Sequence, residues 1–526
     1  MSRDFQLPGR SPVIACEGMA ATSHPLATLS AVETLRAGGT AADAAIAAVA
    51  VLCVVEPRMT GIGGDCFCLI SQPGKPLWGY NGSGRAGARA SYDALRAQGL
   101  REIGASIHCV TVPGALDAWE AVLKAHGRFG LDRVLRPAIG YAEGGFPVAQ
   151  RIAWDWQRYL GKLQADPGAA RHYLFNGAAP QEGDVIRLPA LAATLKAVAA
   201  KGARAFYQGE IAADITATLA ARGSFLSEED FARHQGDVVT PISSNYRGLD
   251  LVELPPNGQG LTALVMLNIL ENFDLKALDP AGPDRFHLVS EAARLAFAVR
   301  DTHVGDPAHM RVAVADLIDK GFAKKLAGKI DLKRRAKLPQ APTPGSDTVY
   351  LTVVDRDRMA VSFINTLYST FGSGICTEKT GVMLTNRGAC FTLQAGHPNV
   401  FGPDKRPLHT IIPALAMRAG RCDMSFGVMG AHYQPMGHVQ IVNNMLDFGM
   451  DVQQAIDAPR FFFECEQTVV EHGTPATTIE GLKARGHDVV FAPTPWGGAQ
   501  TIKIDWQRGV LIAGSEPRKD GCALGY

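Results

Sequence analysis

Apolar stretches with helical spacing alternate along this chain with short runs of strand character. A short strand is expected at 12–16 and an amphipathic helix at Pro25–Arg36, closed by Gly38-Gly39. Thr40 can cap the next helix, with Asp43 three positions on as a weak capping box. The run 41–55 is apolar apart from Asp43, and at 15 residues it falls short of the ~20 needed to span a membrane. It predicts a buried core helix. Gly61-Ile62-Gly63-Gly64 is a glycine turn before a strand at 66–70; a phosphate loop needs a lysine and a following helix, and neither is there. Another strand is expected at 77–80 and a loop at 81–85. Helices dominate from about residue 113 to 235, including 191–200 and 211–222, and Ser227-Glu228-Glu229-Asp230 is a helix start. Strands at 242–246 and 249–254 precede a loop at 255–260 and helices to about 329. Further strands are expected at 381–384 and 411–418, helices at 434–448 and 477–485, and a closing hairpin from 500–504 and 509–514.

The sharpest change of pattern lies at 339–375. Pro339, Pro342, Pro344 and Gly345 give a structureless lead-in, and after Asp347-Thr348 the chain turns abruptly to β-branched and aromatic residues at 349–354. Asp355-Arg356-Asp357-Arg358 is a polar turn and 359–367 a second strand, so a tether enters the first strand of a hairpin. The tether has two readings. It is an interdomain linker, or it is cut before Thr348 to free that residue's amine at a strand tip. The second reading carries a specific chemistry. A threonine hydroxyl is a poor nucleophile without a base, and an N-terminal threonine carries its own. An α-amino group titrates at roughly 7.7–8.0, so part of it is unprotonated near neutral pH. Threonine with its own amine is an accepted nucleophile and base pair. Such an enzyme is made as a precursor.

Composition sets bounds. The 526 residues are 47% hydrophobic and 20% charged, as in an ordinary soluble globular protein. Length allows several domains, but the only linker-like stretch is 336–346, so one composite fold is expected. A net charge of +1 gives no electrostatic case for nucleic acid or an anionic membrane. Lys333, Arg334, Arg335 and Lys337 read as a solvated helix end. The 10 cysteines form no CxxC pair and mostly sit in apolar surroundings, with Cys66 and Cys68 on one face of a strand. Together with an N-terminus lacking a signal pattern, they point to a reducing, cytoplasmic location. His432 and His438 belong to no convincing ligand set, so no metal or organic cofactor is expected.

Asp347-Thr348, Thr366, Phe371-Gly372-Ser373-Gly374, Lys405-Arg406-Pro407-Leu408 and Glu516-Pro517-Arg518 occur in an order and spacing that resembles the γ-glutamyltransferases, self-cleaving N-terminal-nucleophile hydrolases. Upstream matches include Gly38-Gly39-Thr40, Glu56-Pro57, Gly61-Ile62-Gly63-Gly64-Asp65, Val112-Pro113-Gly114, Tyr246-Arg247-Gly248 and Gly305-Asp306-Pro307. The resemblance covers roughly residues 13 to 526. It implies an α+β fold, a four-layer αββα sandwich, made of two subunits cut from one precursor. Residues 1–347 would form the large subunit and 348–526 the small one, with 336–347 as a flexible linker ahead of cleavage between Asp347 and Thr348. It further implies a heterodimer of the two pieces, with a dimer of heterodimers as the larger assembly allowed.

Carried over position by position, the resemblance makes Thr348 the nucleophile, with its freed amine as general base. Thr366 becomes the second threonine that hydrogen-bonds it; taken alone, Thr366 is an ordinary β-branched strand residue. Gly430-Ala431 matches a Gly-Gly pair whose N–H groups form the oxyanion hole, and alanine keeps that donor; losing one such donor costs about 10²–10³ in rate. The substrate pocket departs from the family. The Asn, Gln and Asp that hold the glutamyl α-amino group fall at Tyr368, Arg387 and Cys390, and the Ser-Ser pair at the α-carboxylate becomes His409-Thr410. The family's arginine after the second strand falls at Ser83, with Arg85 two residues along. An arginine at 387 repels an α-ammonium and attracts a carboxylate, preferably bidentately. Each change has a bland alternative, Arg387 as a structural residue and His409 as a satisfied core histidine. Four changes around one subsite point instead to an altered acyl specificity.

The expectation is an N-terminal-threonine amidohydrolase acting on a small amide with a carboxylate-bearing acyl half. γ-Glutamyl amides such as glutathione are the family default; oxamate, or a glutaryl group as in the related cephalosporin acylases, fits the altered pocket better. A homologue that never cleaves and serves as a binding or scaffold protein is the other class, and the retained Thr348, Thr366 and Gly430 argue against it.

Overall fold

The computed structural model describes residues 6, 9–337, 348–464 and 466–526. Two antiparallel sheets of seven strands each carry the architecture. One runs Val13–Ala15, Val510–Ser515, Gly498–Asp505, Arg421–Met429, Ala414–Arg418, Leu249–Glu253 and Ile242–Tyr246. The other runs Cys522–Gly525, Met19–Thr22, Val349–Val354, Ala360–Thr366, Asp65–Ser71, Trp78–Gly82 and Asp237–Val239. Both sheets mix strands from before and after residue 348, so the two expected subunits are not two domains. They form one core.

The sheets face each other. Thr352 Oγ1 donates to Ser425 Oγ at 2.7 Å and Ser362 Oγ to the Phe426 carbonyl at 3.3 Å. Tyr350 lies flat against Gly427, where an added Cβ would stand 2.3 Å from the ring. Helices Pro25–Arg36 and Ala41–Val55 cover the sheet that holds Val349–Val354. Helices Gly260–Leu270 and Gln434–Leu446 cover the other, backed by Pro283–His303. This is the αββα sandwich. Its middle strands are covered on both faces, so Val349–Val354 and Ala360–Thr366 are buried at every position. That is why they read as unbroken apolar runs rather than alternating ones.

Thr40 and Asp43 do form a capping box, with the Thr40 N–H donating to Asp43 Oδ2 at 2.8 Å. Every residue of Ala41–Val55 is buried. No helix among the described residues is long and apolar enough to cross a membrane.

Some expectations change. Residues 381–384 make only isolated bridges, Gly63 with Leu384 and Cys376 with Met383, because the positive φ of Gly372, Gly374 and Gly381 folds this stretch into turns. Arg421–Met429, which no pattern announced, is a nine-residue strand in the middle of its sheet. A further small sheet forms from Phe461–Glu464, Gln467–Val470 and Asp488–Phe491. The basic cluster at 333–337 is no helix end: Lys320–Ala327 stops earlier, and Arg335 donates to Glu466 at 2.9 Å. Residues 338–347, which include Asp347 and nearly all of the expected linker, lie outside the described residues. Ala336 is pinned, its N–H donating to Glu291 at 2.9 Å and its carbonyl accepting from Arg294 at 2.8 Å. The nine described cysteines are free thiols, most of them buried.

Candidate active site

Sheet register builds the centre of the site. Val349 pairs with Asn365, so Thr348 falls beside Thr366 at the open end of the hairpin, and Thr366 pairs in turn with Asp65. Residues level with one another on adjacent strands point to the same face. Thr348 Oγ1 and Thr366 Oγ1 lie 3.1 Å apart, and Thr366 Oγ1 also accepts from the Tyr368 N–H at 2.8 Å. Both threonines are fully buried.

Asp65 ties this line to His409 and Arg387, expected from the sequence to line the substrate pocket. Its Oδ2 accepts from His409 Nε2 at 3.0 Å, and its Oδ1 accepts from the N–H groups of Gly84 at 3.0 Å and Gly114 at 3.3 Å. Burial opposes its charge, but the hydrogen bond from His409, the Arg387 charge and the Gly84 N–H hold the carboxyl below its ordinary range. His409 Nδ1 accepts from the Ile411 N–H at 3.3 Å, so the proton sits on Nε2. Burial, helped by the Arg387 charge, pushes the imidazole down to about 3. His409 is neutral.

Arg387 is 0% exposed. Its Nη1 donates to Thr410 Oγ1 at 2.8 Å and to Cys390 Sγ at 3.5 Å, and its guanidinium lies 4.1 Å over the Tyr368 ring. Nε stands 4.0 Å from Asp65 Oδ2, beyond hydrogen-bond reach, and neither Nε nor Nη2 has a hydrogen-bond partner among the described residues. Those two N–H groups share one edge of the guanidinium, the fork that grips a carboxylate side-on. Leaving them unmet in the interior is costly. Tyr368 holds a φ of 80°, a conformation uncommon for a bulky residue, and this sets its ring beneath Arg387. Burial first, then the Cys390 thiol, raises its phenol.

The facing sheet supplies the turn at Gly430-Ala431. Thr352 meets Ser425 and Tyr350 meets Gly427, so one more two-residue step on each strand brings Thr348 level with Met429–Gly430. Gly430 has φ 128° and Ala431 φ 48°, both in the left-handed half of backbone space. Gln259, on the 255–260 loop, fixes this turn: its Nε2 donates to the Ala431 carbonyl at 2.9 Å and to the Thr410 carbonyl at 2.7 Å. Its Oε1 accepts from Arg300 Nη1 at 2.6 Å, which also reaches His432 Nδ1 at 2.9 Å.

The structure thus gathers Thr348, Thr366, Tyr368, Arg387, His409 and Thr410, with the Gly430-Ala431 turn on the facing sheet. It does not gather Arg85. That guanidinium is spent on Asp237 and Asp306, each at 3.6 Å, and on the Asp404 carbonyl at 3.1 Å. Ser83 is buried and bonded to Asn81 at 2.7 Å. Sequence reading missed Asp65, Gln259 and Arg300, which reach the site from three distant segments. Asp65 closed a glycine motif already noted, the one signal that marked it. Among the described residues one group is arranged like metal ligands, His287, Glu291 and His487. Its atoms already bond one another or the protein: His287 Nδ1 and His487 Nε2 are 2.7 Å apart, and Glu291 binds Arg294 and Ala336. His438 is likewise satisfied, by Glu253 at 2.8 Å.

Two packed antiparallel sheets between helical layers, with a threonine pair at the open end of a central hairpin, have the fold of an N-terminal-nucleophile hydrolase. The Gamma-glutamyltranspeptidase family profile matches residues 27–526, and the chain belongs to that family of amide hydrolases and transferases. Over 524 residues it is 39% identical to the glutathione hydrolase-like YwrD proenzyme of Bacillus subtilis, covering 98% of this chain and 99% of that one. It is 35% identical to the oxamate amidohydrolase proenzyme of Klebsiella pneumoniae, over 98% of this chain and 99% of the relative. The crystal structure of a cephalosporin acylase from Bacillus halodurans superposes with a TM-score of 0.93 at 38% identity, covering 100% of this chain and 99% of that one.

Proposed function

We propose that this enzyme cuts itself between Asp347 and Thr348 and then hydrolyses small amides whose acyl half carries a carboxylate without a neighbouring ammonium. The freed Thr348 amine takes the proton of Thr348 Oγ as it attacks the amide carbonyl. Thr366 orients that hydroxyl, consistent with the 3.1 Å contact. The N–H groups of Gly430 and Ala431 receive the oxyanion. The amine leaves with the transferred proton, and water or an amine acceptor then takes the acyl group from Thr348.

The observation that carries the substrate reading is the buried Nε–Nη2 edge of Arg387, which has no hydrogen-bond partner among the described residues and only the 4.0 Å approach of Asp65 to Nε. His409-Thr410 backs it, Thr410 by its bond to Nη1. An α-ammonium finds no unengaged counter-charge here among the described residues. Asp65 is the nearby acid, and His409, Gly84 and Gly114 already occupy its oxygens. Arg85 is left out of this reading. The relatives named for oxamate and cephalosporin chemistry support it; those named for glutathione support the γ-glutamyl alternative. The free thiols fit a reducing compartment, where we place the enzyme.

The test is ammonia release from oxamate, set beside hydrolysis of a glutaryl anilide and a γ-glutamyl anilide by the processed enzyme. Oxamate or the glutaryl compound should win by at least tenfold in kcat/KM. A γ-glutamyl preference of that size would overturn the pocket assignment.

A further inference from the structure

His432 follows the Gly430-Ala431 turn directly and belongs to no metal-ligand group among the described residues. Its geometry gives it another use. Arg300 reaches it from the Pro283–His303 helix, Nη1 to His432 Nδ1 at 2.9 Å. A guanidinium has no acceptor and does not lose its proton in proteins. His432 Nδ1 must therefore be the acceptor of that bond, which leaves the ring proton on Nε2. The tautomer is fixed by Arg300 and not by solvent.

Arg300 is itself locked. It is 1% exposed, its Nη1 also gives to Gln259 Oε1 at 2.6 Å, and its Nε to Asp301 Oδ1 at 2.7 Å. Gln259 in turn holds the carbonyls of Ala431 and Thr410. One buried network therefore spans the turn opposite Thr348, the loop that holds Arg387, and the His432 ring. Burial first, then the Arg300 and Arg387 charges, drives His432 well below its ordinary titration range. Thr410 Oγ1 also accepts from Arg387 Nη1 at 2.8 Å, so hydrogen bonds lead from the His432 ring through Arg300, Gln259 and Thr410 to the guanidinium that lies 4.1 Å over Tyr368. His432 keeps 8% of its surface, and its Nε2 meets no protein acceptor among the described residues. It is a neutral, preset N–H donor joined through this network to the Arg387 fork.

We infer that His432 is a specificity-determining residue of this hydrolase, its Nε2–H donating to the substrate's acyl carboxylate alongside the Nε–Nη2 edge of Arg387. This rests on the carboxylate reading of Arg387 given above. A neutral imidazole suits the place. A third positive charge beside Arg387 and Arg300 would raise the cost of burial, whereas a fixed dipole adds a bond to the carboxylate without it. Discrimination follows the same way: an uncharged acyl ester satisfies neither donor set well, and buried donors left unmatched penalise the wrong ligand. The bond exists before and during acyl transfer alike, so it belongs to binding and appears in KM.

The experiment compares the processed wild type with His432→Leu and His432→Gln on two probes, a glutaryl anilide and its methyl ester, with oxamate and methyl oxamate as the short pair. Two-piece processing on a denaturing gel checks that each variant is folded. In wild type the carboxylate probe should be preferred. In His432→Leu that preference should fall roughly 10- to 100-fold, the range of a lost hydrogen bond to a charged group. The loss should lie in KM, with kcat within about threefold. Glutamine carries an N–H near the Nε2 position and should restore most of the preference. If the leucine variant does not process, the glutamine variant alone still decides, since it must keep the acid-over-ester ratio within about fivefold of wild type. Equal losses on acid and ester, a fall in kcat at constant KM, or an unchanged ratio in His432→Leu would each overturn the inference. A wild type with no preference for acid over ester would instead contradict the Arg387 reading, and it would show before any variant is made.

Discussion

At the scale of single residues, Arg387 and His409 differ in how their hydrogen-bonding groups are used. His409 is spent inside the protein, between Asp65 and the Ile411 N–H, while Arg387 keeps two donors in reserve. The account therefore predicts different outcomes for the two. Arg387→Gln should lower kcat/KM on a carboxylate-bearing amide more than tenfold while leaving self-cleavage intact, measured by steady-state kinetics beside a denaturing gel; an unchanged kcat/KM would remove Arg387 from the site. His409→Gln should act through position. Without the imidazole, Asp65 loses a bond and Arg387 loses its register, so KM should rise less than in Arg387→Gln. A larger loss than Arg387→Gln would make His409, not Arg387, the principal contact.

At the scale of elements, the hairpin and the facing strand set the geometry. Gly427 is the contact point: with no side chain there, Tyr350 lies against the backbone and the sheets close to working distance. Gly427→Ala should cost about 1–3 kcal/mol, the usual range for overpacking a dense core. It should also slow self-cleavage, because the Gly430 turn and Thr348 would be pushed apart. Urea unfolding and a time course of processing check both. The helices and the hairpin were legible in the sequence because apolar period, capping residues and glycine stops agreed, as at Thr40 and Asp43. The Arg421–Met429 strand was not, since Arg421, Asp423, Ser425 and Gly427 break any apolar run; Ser425 is inside because Thr352 satisfies it, and Gly427 because Tyr350 needs the room. Residues 381–384 looked like a strand by composition, yet neighbouring glycines in left-handed conformations turn the chain. Of the site, Thr348 and Thr366 were legible from the hairpin and the resemblance. Asp65, Gln259 and Arg300 were not, because their roles come from contacts across the fold that no local pattern encodes. Arg85 shows the reverse error, a nearby charge in sequence that tertiary structure assigns to other acids.

At the scale of the whole molecule, the pieces on either side of residue 348 share both sheets, so cleavage should leave a single cooperative unit. The buried histidines predict its response to acid. Burial pushes His24 and His234 to about 4 and His409 and His487 to about 3, all below the value near 6.5 expected of an unfolded chain. Between roughly pH 6.5 and 4 the unfolded chain therefore binds protons that the folded one refuses, and stability drains away as pH falls. Glu516, held at about 2 against burial by Arg460 and Arg518, adds the same sign below about pH 4.5. Glu56 works the other way, since burial raises it to about 7 and its contribution is lost as pH climbs from 4.5 to 7. Burial also raises Glu253, Asp355, Asp457, Glu464 and Asp520, which start from the ordinary carboxyl range, while it lowers His108, His126 and His432, so the histidines set the sign above about pH 4.5. The free energy of urea unfolding should drop on the order of 1 kcal/mol or more per pH unit between 6.5 and 4.5; a flat or rising profile would contradict the neutral burial of these imidazoles.

The decisive measurement is the intact mass of purified enzyme that turns over an amide. Two species separated by a break immediately before Thr348, with Thr348→Ala giving one inactive species, is the predicted result. One unbroken chain that still turns over substrate would contradict the account at its root.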